Sequence, residues 1–240
     1  MQWMQKVGVL VTGLVAGGLT ACSPLRLGVP ESLERQSQPL PIQQDKGSRQ
    51  EGTLKVAEFS ARYDLDSVDW TRGGSLGSGL TACGANAAYR FTLASTARET
   101  PVKVECEEQM SGKSAMGLST SQNRVNCRLE GGGRLDLTQT RRMEGKATHA
   151  PIVQGQAQVG AVNLRVESTN EQQKGLPVPY LGFHLLRGEQ PVASLQVLEP
   201  MQLWMAPELS AEEREAVVLT AFSLMLQRAW TSDGPLDCHG

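Results

Sequence analysis

The chain has few aromatic residues and no strong excess of charge, and these two shortages exclude classes of partner. Of 240 residues, 23 are basic and 25 acidic, so the formal net charge is −2. A chain this close to neutral has no global electrostatic attraction for nucleic acid. Aromatic residues make up 5% of the chain, and none flanks the basic pair Arg141-Arg142, so there is no stacking platform beside it for single-stranded nucleic acid. We therefore expect no nucleic-acid partner.

Histidine and cysteine are too sparse and too widely spaced to predict a metal site. The three histidines are His149, His184 and His239, and neither His-x-x-x-His nor Cys-x-x-Cys occurs anywhere in the chain. Those short spacings are the ones that zinc sites use. We expect no metal and no cofactor, and we interpret His184, in the largely apolar stretch PYLGFHLL, as a structural histidine.

Motifs for nucleophilic or acid–base catalysis occur only in unsuitable surroundings. Ser75 lies in a Gly-x-Ser-x-Gly match, but inside a run of glycine and serine, whereas the hydrolase motif is a strained turn from strand to helix. Glu105, Glu107 and Glu108 lie in one strand-like segment, where neighbouring side chains point to opposite faces. We expect these carboxylates on a solvated outer face. The sequence favours a protein that is not an enzyme, and an esterase using Ser75 is the remaining enzymatic alternative.

One short hydrophobic run lies near the N-terminus. Residues 7–18 are uncharged and largely apolar, follow Lys6, and lead through small residues to Cys22. The run is too short to cross a bilayer as a helix, but it has the length of the hydrophobic region of a signal peptide. The tetrad Leu19-Thr20-Ala21-Cys22 resembles the lipobox of bacterial lipoproteins.

This resemblance implies a processing site, a covalent lipid and a location. In that family a signal peptidase cuts before the cysteine, here between Ala21 and Cys22, so residues 1–21 would be a signal peptide. Cys22 would carry an S-diacylglycerol and an N-acyl chain, which together hold a protein on a membrane effectively permanently. Ser23 follows the cysteine, and by the sorting rule of enteric-type lipoproteins it implies the outer membrane, facing the periplasm. A plain secretory signal or an N-terminal anchor helix is the alternative.

Residues 22–52 have a composition that differs from the rest of the chain. They contain four prolines and five glutamines: Pro24, Pro30, Pro39, Pro41, Gln36, Gln38, Gln43, Gln44 and Gln50. A polar stretch of this kind buries too little apolar surface to order itself. We predict that residues 22–52 form a flexible tether after the lipidated cysteine, with a span of roughly 30 Å. The alternative is that this segment docks along the surface of the domain.

Residues 53–240 are numerous enough for one hydrophobic core, and their pattern is mainly that of strands. Apolar and polar residues alternate over 89–93, 101–107 and 124–129, and strands are also predicted over 159–166, 180–186, 192–198 and 201–205. Glycines at 131–133 and the residues 188–191 are typical of hairpin turns. We predict a single, mainly β (α+β) domain built on an antiparallel sheet or barrel.

One helix is predicted over residues 211–230. Ser210 and Glu213 form a capping box, and residues 216–226 contain only two polar side chains, Thr220 and Ser223. A helix that is apolar nearly all round is a buried helix. The order of a hairpin, a short strand and a buried C-terminal helix resembles the tubby-like barrel family, which includes LURP-one-related domains. That resemblance implies a closed antiparallel barrel threaded by the helix; the alternative is a helix packed on one face of a sheet.

Four cysteines remain beyond Cys22, namely Cys83, Cys106, Cys127 and Cys238. An even number in an exported protein predicts disulfides, with three possible pairings. Cys106 and Cys127 each lie on the apolar face of a predicted strand. We favour a Cys106–Cys127 disulfide, which leaves Cys83 to pair with Cys238. Buried free thiols are the alternative.

These observations lead to one functional hypothesis and one alternative. The hypothesis is a lipoprotein anchored in the cell envelope, not an enzyme, whose β-rich domain binds another envelope protein. The alternative is a periplasmic carrier of a lipid or another small apolar ligand, held in the interior of a barrel. A helix occupying that interior would remove the cavity that a carrier needs.

Overall fold

A computed structural model describes most of the β-rich region. The described residues are 26–47, 50–66, 69–71, 81–96, 98–115, 118–144, 147–148, 152–170 and 182–227. Several predictions fall outside them, namely those on the signal peptide of residues 1–21, on Ala21 and Cys22, and on Ser75, His149, Cys238 and His239.

Within these residues the chain consists of fifteen strands and two helices. The helices are α1 (Glu31–Glu34) and α2 (Ala211–Met225). The strands, in chain order, are β1 (Leu40–Pro41), β2 (Gln43–Lys46), β3 (Glu51–Val56), β4 (Phe59–Leu65), β5 (Asp69–Thr71), β6 (Thr81–Ser95), β7 (Arg98–Ala115), β8 (Leu118–Leu129), β9 (Gly133–Glu144), β10 (Ala147–Thr148), β11 (Ile152–Val159), β12 (Val162–Thr169), β13 (Gly182–Arg187), β14 (Gln190–Gln196) and β15 (Gln202–Met205).

The strands form one antiparallel sheet that curves into a nearly closed barrel. Thirteen of them follow the order β1-β15-β14-β13-β12-β11-β9-β8-β7-β6-β4-β3-β2, while β10 pairs with β9 and β5 pairs with β6. Most neighbours in this order are also neighbours in the chain, so simple hairpins generate most of the sheet. The predicted fold class is confirmed: a mainly β protein whose antiparallel, barrel-shaped sheet is accompanied by a buried C-terminal helix.

Glycines in the left-handed region close the hairpins. Gly131 and Gly132 have φ of 89° and 95° between β8 and β9, and Gly188 has φ of 62° between β13 and β14, so both predicted turns are confirmed. Gly160 has φ of 56° and separates β11 from β12. The single strand predicted over residues 159–166 is therefore wrong. Gly160 is flanked by the apolar residues Val159 and Ala161, so the alternating pattern does not reveal the turn. Glycine adopts such a φ at no steric cost.

The N-terminus of α2 is built as its sequence predicts. The Ser210 N–H donates to Glu213 Oε2 at 2.9 Å, and the Glu213 N–H donates to Ser210 Oγ at 3.2 Å. This capping box satisfies two backbone groups that the first turn leaves without helical partners. The helix ends at Met225 with Leu226 as its C-cap, several residues before the predicted end at 230.

The helix α2 occupies the interior of the barrel. Every residue from Ala216 to Leu224 is buried, as an all-round apolar surface predicts. The hydroxyls of Thr220 and Ser223 donate to carbonyl oxygens four residues earlier, at 2.8 and 2.9 Å. Each polar group in the middle of the helix therefore has a partner although it lies in apolar surroundings.

Ion pairs join the first turns of α2 to distant parts of the sheet. Arg214 donates to Glu58, in the turn between β3 and β4, at 2.9 and 3.1 Å. Glu213 pairs with Arg187 at the end of β13. Because β4 and β13 lie far apart in the sheet order, the helix contacts opposite walls of the barrel. The alternative of a helix packed on one face of a sheet is wrong.

The segment predicted as a flexible tether belongs to the barrel from residue 26 onward. Leu27, Leu33 and Ile42 are only 2%, 2% and 6% exposed. The strand β1 pairs with β15, whereas β2 pairs with β3, so two strands separated by Ile42 alone bond to opposite edges of the sheet. The described part of residues 22–52 is therefore not a flexible tether: it contributes strands to the sheet itself. Sheet edges offer backbone partners to a polar segment, and the three buried apolar side chains anchor it while most of its other residues stay exposed.

Replacing Ile42 by Ala tests whether this segment closes the barrel. We expect the free energy of unfolding in urea to fall by about 2–4 kcal/mol, because a buried Ile→Ala change leaves a cavity. The neighbouring exposed residue supplies the control, since Gln43→Ala should change stability by less than about 0.5 kcal/mol. Equal stability of the two variants would contradict closure by this segment.

Candidate functional site

The structure confirms one of the two predicted disulfides. Cys106 on β7 and Cys127 on β8 are direct cross-strand partners, are buried, and are joined by a disulfide. Cys83 on β6 is also disulfide-bonded, but its partner lies outside the described residues. The predicted Cys83–Cys238 pairing, like lipidation of Cys22, therefore stays a prediction.

The double variant Cys106→Ala/Cys127→Ala should lower the free energy of unfolding by about 3 kcal/mol. The two cysteines are 21 residues apart, and the chain-entropy model gives about this value for a loop of that length. Urea denaturation of the wild-type and double-variant proteins measures the difference. A loss below about 1 kcal/mol would show that the hairpin constrains the unfolded chain without the disulfide.

A cluster of polar side chains lies inside the barrel beneath the disulfide. Its members are Tyr89 on β6, Glu108 on β7, Asn123 on β8 and Gln139 on β9, with exposures of 1%, 0%, 6% and 6%. The amide Nδ2 of Asn123 donates to Glu108 Oε1 at 2.5 Å, and Asn123 lies directly opposite Gln139 in the sheet. The four side chains thus form a connected patch on the inner wall.

The prediction that Glu108 lies on a solvated outer face is wrong. Glu105 and Glu107 are exposed, whereas Glu108 is fully buried. The alternation of the strand explains this, because Glu108 is two residues beyond the inward-facing Cys106 and shares its side of the sheet. That spacing was the signal in the sequence that locates this interior group.

Hydrogen bonds connect the polar cluster to α2 and leave two acceptors unused. The Tyr89 hydroxyl donates to the carbonyl oxygen of Ser223 at 2.8 Å. Asn123 Oδ1 and Gln139 Oε1 are buried without a hydrogen-bond partner. Tyr89 holds the helix against the wall through its hydrogen bond to Ser223, and the four residues of the cluster do not align a nucleophile with a base.

The pKa of Tyr89 is raised well above its ordinary value of 10.0, first because burial penalises the phenolate and second because Glu108 lies nearby. A raised pKa means that the folded protein holds this proton more tightly than the unfolded chain does. The stabilisation is fully present below about pH 10, the pKa of an exposed tyrosine. It is lost as the pH rises above that value, because the unfolded chain then ionises first.

Tyr89→Phe should therefore flatten the fall in unfolding free energy above about pH 10. At neutral pH we expect the same variant to be less stable by roughly 1–3 kcal/mol, because the buried Ser223 carbonyl loses its donor. Urea denaturation at several pH values measures both effects. The control is Tyr63→Phe, because the Tyr63 hydroxyl also takes part in a hydrogen bond, which it accepts from Gln44. If the unfolding free energy of both variants depends on alkaline pH in the same way, the assignment to Tyr89 is contradicted.

A groove of about 550 Å³ crosses the outer wall of β3, β4, β6 and β7. Small outward side chains form its floor, with Ser60 directly opposite Ala94, and Thr92 beside them. Longer charged side chains border this floor: Glu51, Arg62, Asp64, Arg90, Lys103 and Glu105. The groove exists because short residues at facing positions lie between long ones.

The groove carries both signs of charge. Arg90 bonds Asp64 through Nη2 at 2.8 Å and through Nε at 3.1 Å. The hydrogen bond that Arg90 donates to Asp64 and the negative charge of Asp64 raise the pKa of the Arg90 guanidinium. Lys103 pairs with Glu130 at 3.3 Å. Alternating charges on an exposed wall provide electrostatic complementarity for a polar partner surface, which contributes more to specificity than to affinity.

His184 has the structural surroundings that its sequence context predicts. It lies on β13, and its Nδ1 is 2.9 Å from the hydroxyl of Ser194 on β14. Among the described residues, no group of three or more histidine, cysteine, aspartate or glutamate side chains is placed to hold a metal ion.

Comparison with known proteins adds no assignment. No protein-family model, curated protein or solved structure gives a significant match to the chain. None of the helices in the described part of the chain has the length and apolar character needed to cross a bilayer.

Proposed function

We propose that this protein is a lipid-anchored component of the cell envelope, without enzymatic activity, whose barrel binds another envelope protein. Cys22 carries the covalent lipid, which is the one non-protein group in this proposal. The anchor places the protein on the outer membrane, facing the periplasm. The partner binds in the outer groove bordered by Arg62, Arg90 and Lys103.

The occupation of the barrel interior by α2 is the observation that carries this proposal. A carrier of an apolar ligand needs an interior cavity, but the residues from Ala216 to Leu224 are all buried against the walls. The space that a ligand would use is therefore taken by the chain itself. This argues against the carrier alternative and leaves recognition to the outer surface.

The edges of the sheet bear on whether a partner binds by adding a strand or by contacting side chains. A partner strand can extend a sheet only at a free edge. The two terminal strands of the sheet order, β1 and β2, are two and four residues long and are separated by Ile42 alone, so they offer only a short edge to a partner strand. We therefore favour recognition by side chains. The groove provides such side-chain recognition. Its floor of small residues leaves room for a segment of the partner, and its charged borders favour a segment of complementary charge.

Site-specific cross-linking in living cells tests the proposal. A photo-reactive amino acid at Thr92, on the groove floor, should capture one reproducible envelope protein. Arg62→Glu should lower that capture about tenfold, equivalent to roughly 1.4 kcal/mol, because it reverses a charge at the border. The matched control is Arg165→Glu on β12, an arginine that lies outside the groove and pairs with Glu189 at 3.1 Å.

The anchor and the groove are tested separately in this experiment. Cys22→Ser should abolish membrane attachment and, with it, capture. An absence of any captured protein with the wild-type groove, or equal losses for Arg62→Glu and Arg165→Glu, would contradict recognition through the groove. Unchanged membrane attachment of Cys22→Ser would contradict the lipid anchor.

A further inference from the structure

We propose that the loop between β14 and β15, residues 197–201, contacts the bilayer next to the lipid anchor. The partner that this surface fits is a lipid surface, and the inference rests on the proposed lipidation of Cys22. In place of the expected flexible tether with a span of roughly 30 Å, the domain is held close to the bilayer.

The short distance from the anchor to the folded domain is the first argument. Leu27 is 2% exposed, and its backbone N–H donates to the side-chain oxygen of Gln196 at 2.7 Å in a buried hydrogen bond. Cys22 precedes Leu27 by five positions in the sequence. Five residues span at most about 18 Å even when fully extended. Leu27 therefore stays within about 18 Å of the lipidated residue.

Gln196 identifies which part of the barrel lies beside Leu27. The oxygen of its side-chain amide accepts from Leu27, while the nitrogen of the same amide donates to the carbonyl oxygens of Leu198 and Pro200, at 3.2 and 2.8 Å. Gln196 is itself fully buried. One amide group thus holds the backbone of Leu27 and the loop of residues 197–201 within a few ångströms of each other.

The loop presents an apolar side chain at this place. Leu198 is 37% exposed and is one of two large hydrophobic side chains exposed in the described part of the chain; the other is Ile152 on β11. An exposed leucine gains from transfer into the apolar boundary of a bilayer. Its position beside the anchored end of the chain means that little extra chain ordering is needed for that transfer.

The direction of β14 provides the control position. This strand begins after the turn at Gly188 and Glu189 and ends at Gln196, so the turn and the loop lie at opposite ends of the barrel. With a rise of about 3.3 Å per residue, the two are separated by roughly 20 Å. The side chain of Glu189 is 88% exposed and accepts a label without disturbing the core.

The experiment compares the two positions in the lipidated full-length protein. Leu198→Cys and Glu189→Cys are labelled separately with the environment-sensitive fluorophore NBD. Each protein is reconstituted in vesicles of phosphatidylethanolamine and phosphatidylglycerol, with or without a doxyl-labelled lipid that quenches on contact. We expect the label at position 198 to be quenched several-fold more strongly than the label at 189, with a blue-shifted emission. The mass of the N-terminal peptide is measured on the same samples.

The outcomes separate this inference from the proposed function. If Cys22 carries lipid and quenching is equal at positions 198 and 189, contact of the loop with the bilayer is wrong while the anchor stands. If the mass shows no lipid on Cys22, the proposed anchor is wrong and this inference falls with it. Strong quenching at 198 alone, on lipidated protein, supports both.

Discussion

The burial of α2 inside the curved sheet is the constraint on which the rest of the structure depends. Fifteen residues of helix, apolar over its whole middle section, require walls on every side, and a single flat face of a sheet would leave part of that surface in water. Curving the sheet around the helix meets this requirement, and the hydroxyls of Thr220 and Ser223 bond within the helix, so these two side chains need no partner on the walls. The same arrangement fills the interior space that an apolar ligand would otherwise occupy.

Enclosing the helix also requires the two edges of the sheet to be closed. The strands β1 and β2 bring these edges together, because β1 bonds to β15, β2 bonds to β3, and Ile42 alone separates the two strands. Residues 26–46 are therefore part of the domain rather than a link to it.

Local patterns in the sequence predicted much of this fold. Alternation identified parts of β6, β7 and β8, Ser210 and Glu213 identified the start of α2, and the apolar-face positions of Cys106 and Cys127 identified their disulfide. The failures have two causes. Residues 26–46 take partners that are distant in sequence, and their composition alone predicts a solvated state. Glu108 was assigned to a solvated face from its charge, although its spacing from Cys106 places it on the inner face. The groove was also not predicted, because it arises from small residues on neighbouring strands that only the sheet register brings together.

The sequence by itself determined several of the longer strands, where the interior helix begins, and the lipobox-like tetrad that ends at Cys22. These features depend on interactions between residues that are close along the chain, such as caps, turns and the alternation of side chains. Only the tertiary structure decided that Leu40 lies opposite Leu203, that Glu108 is buried against Asn123, and that Gln196 joins Leu27 to the loop at Leu198. Closing a barrel pairs residues from opposite ends of the chain, and no local pattern encodes which of them meet.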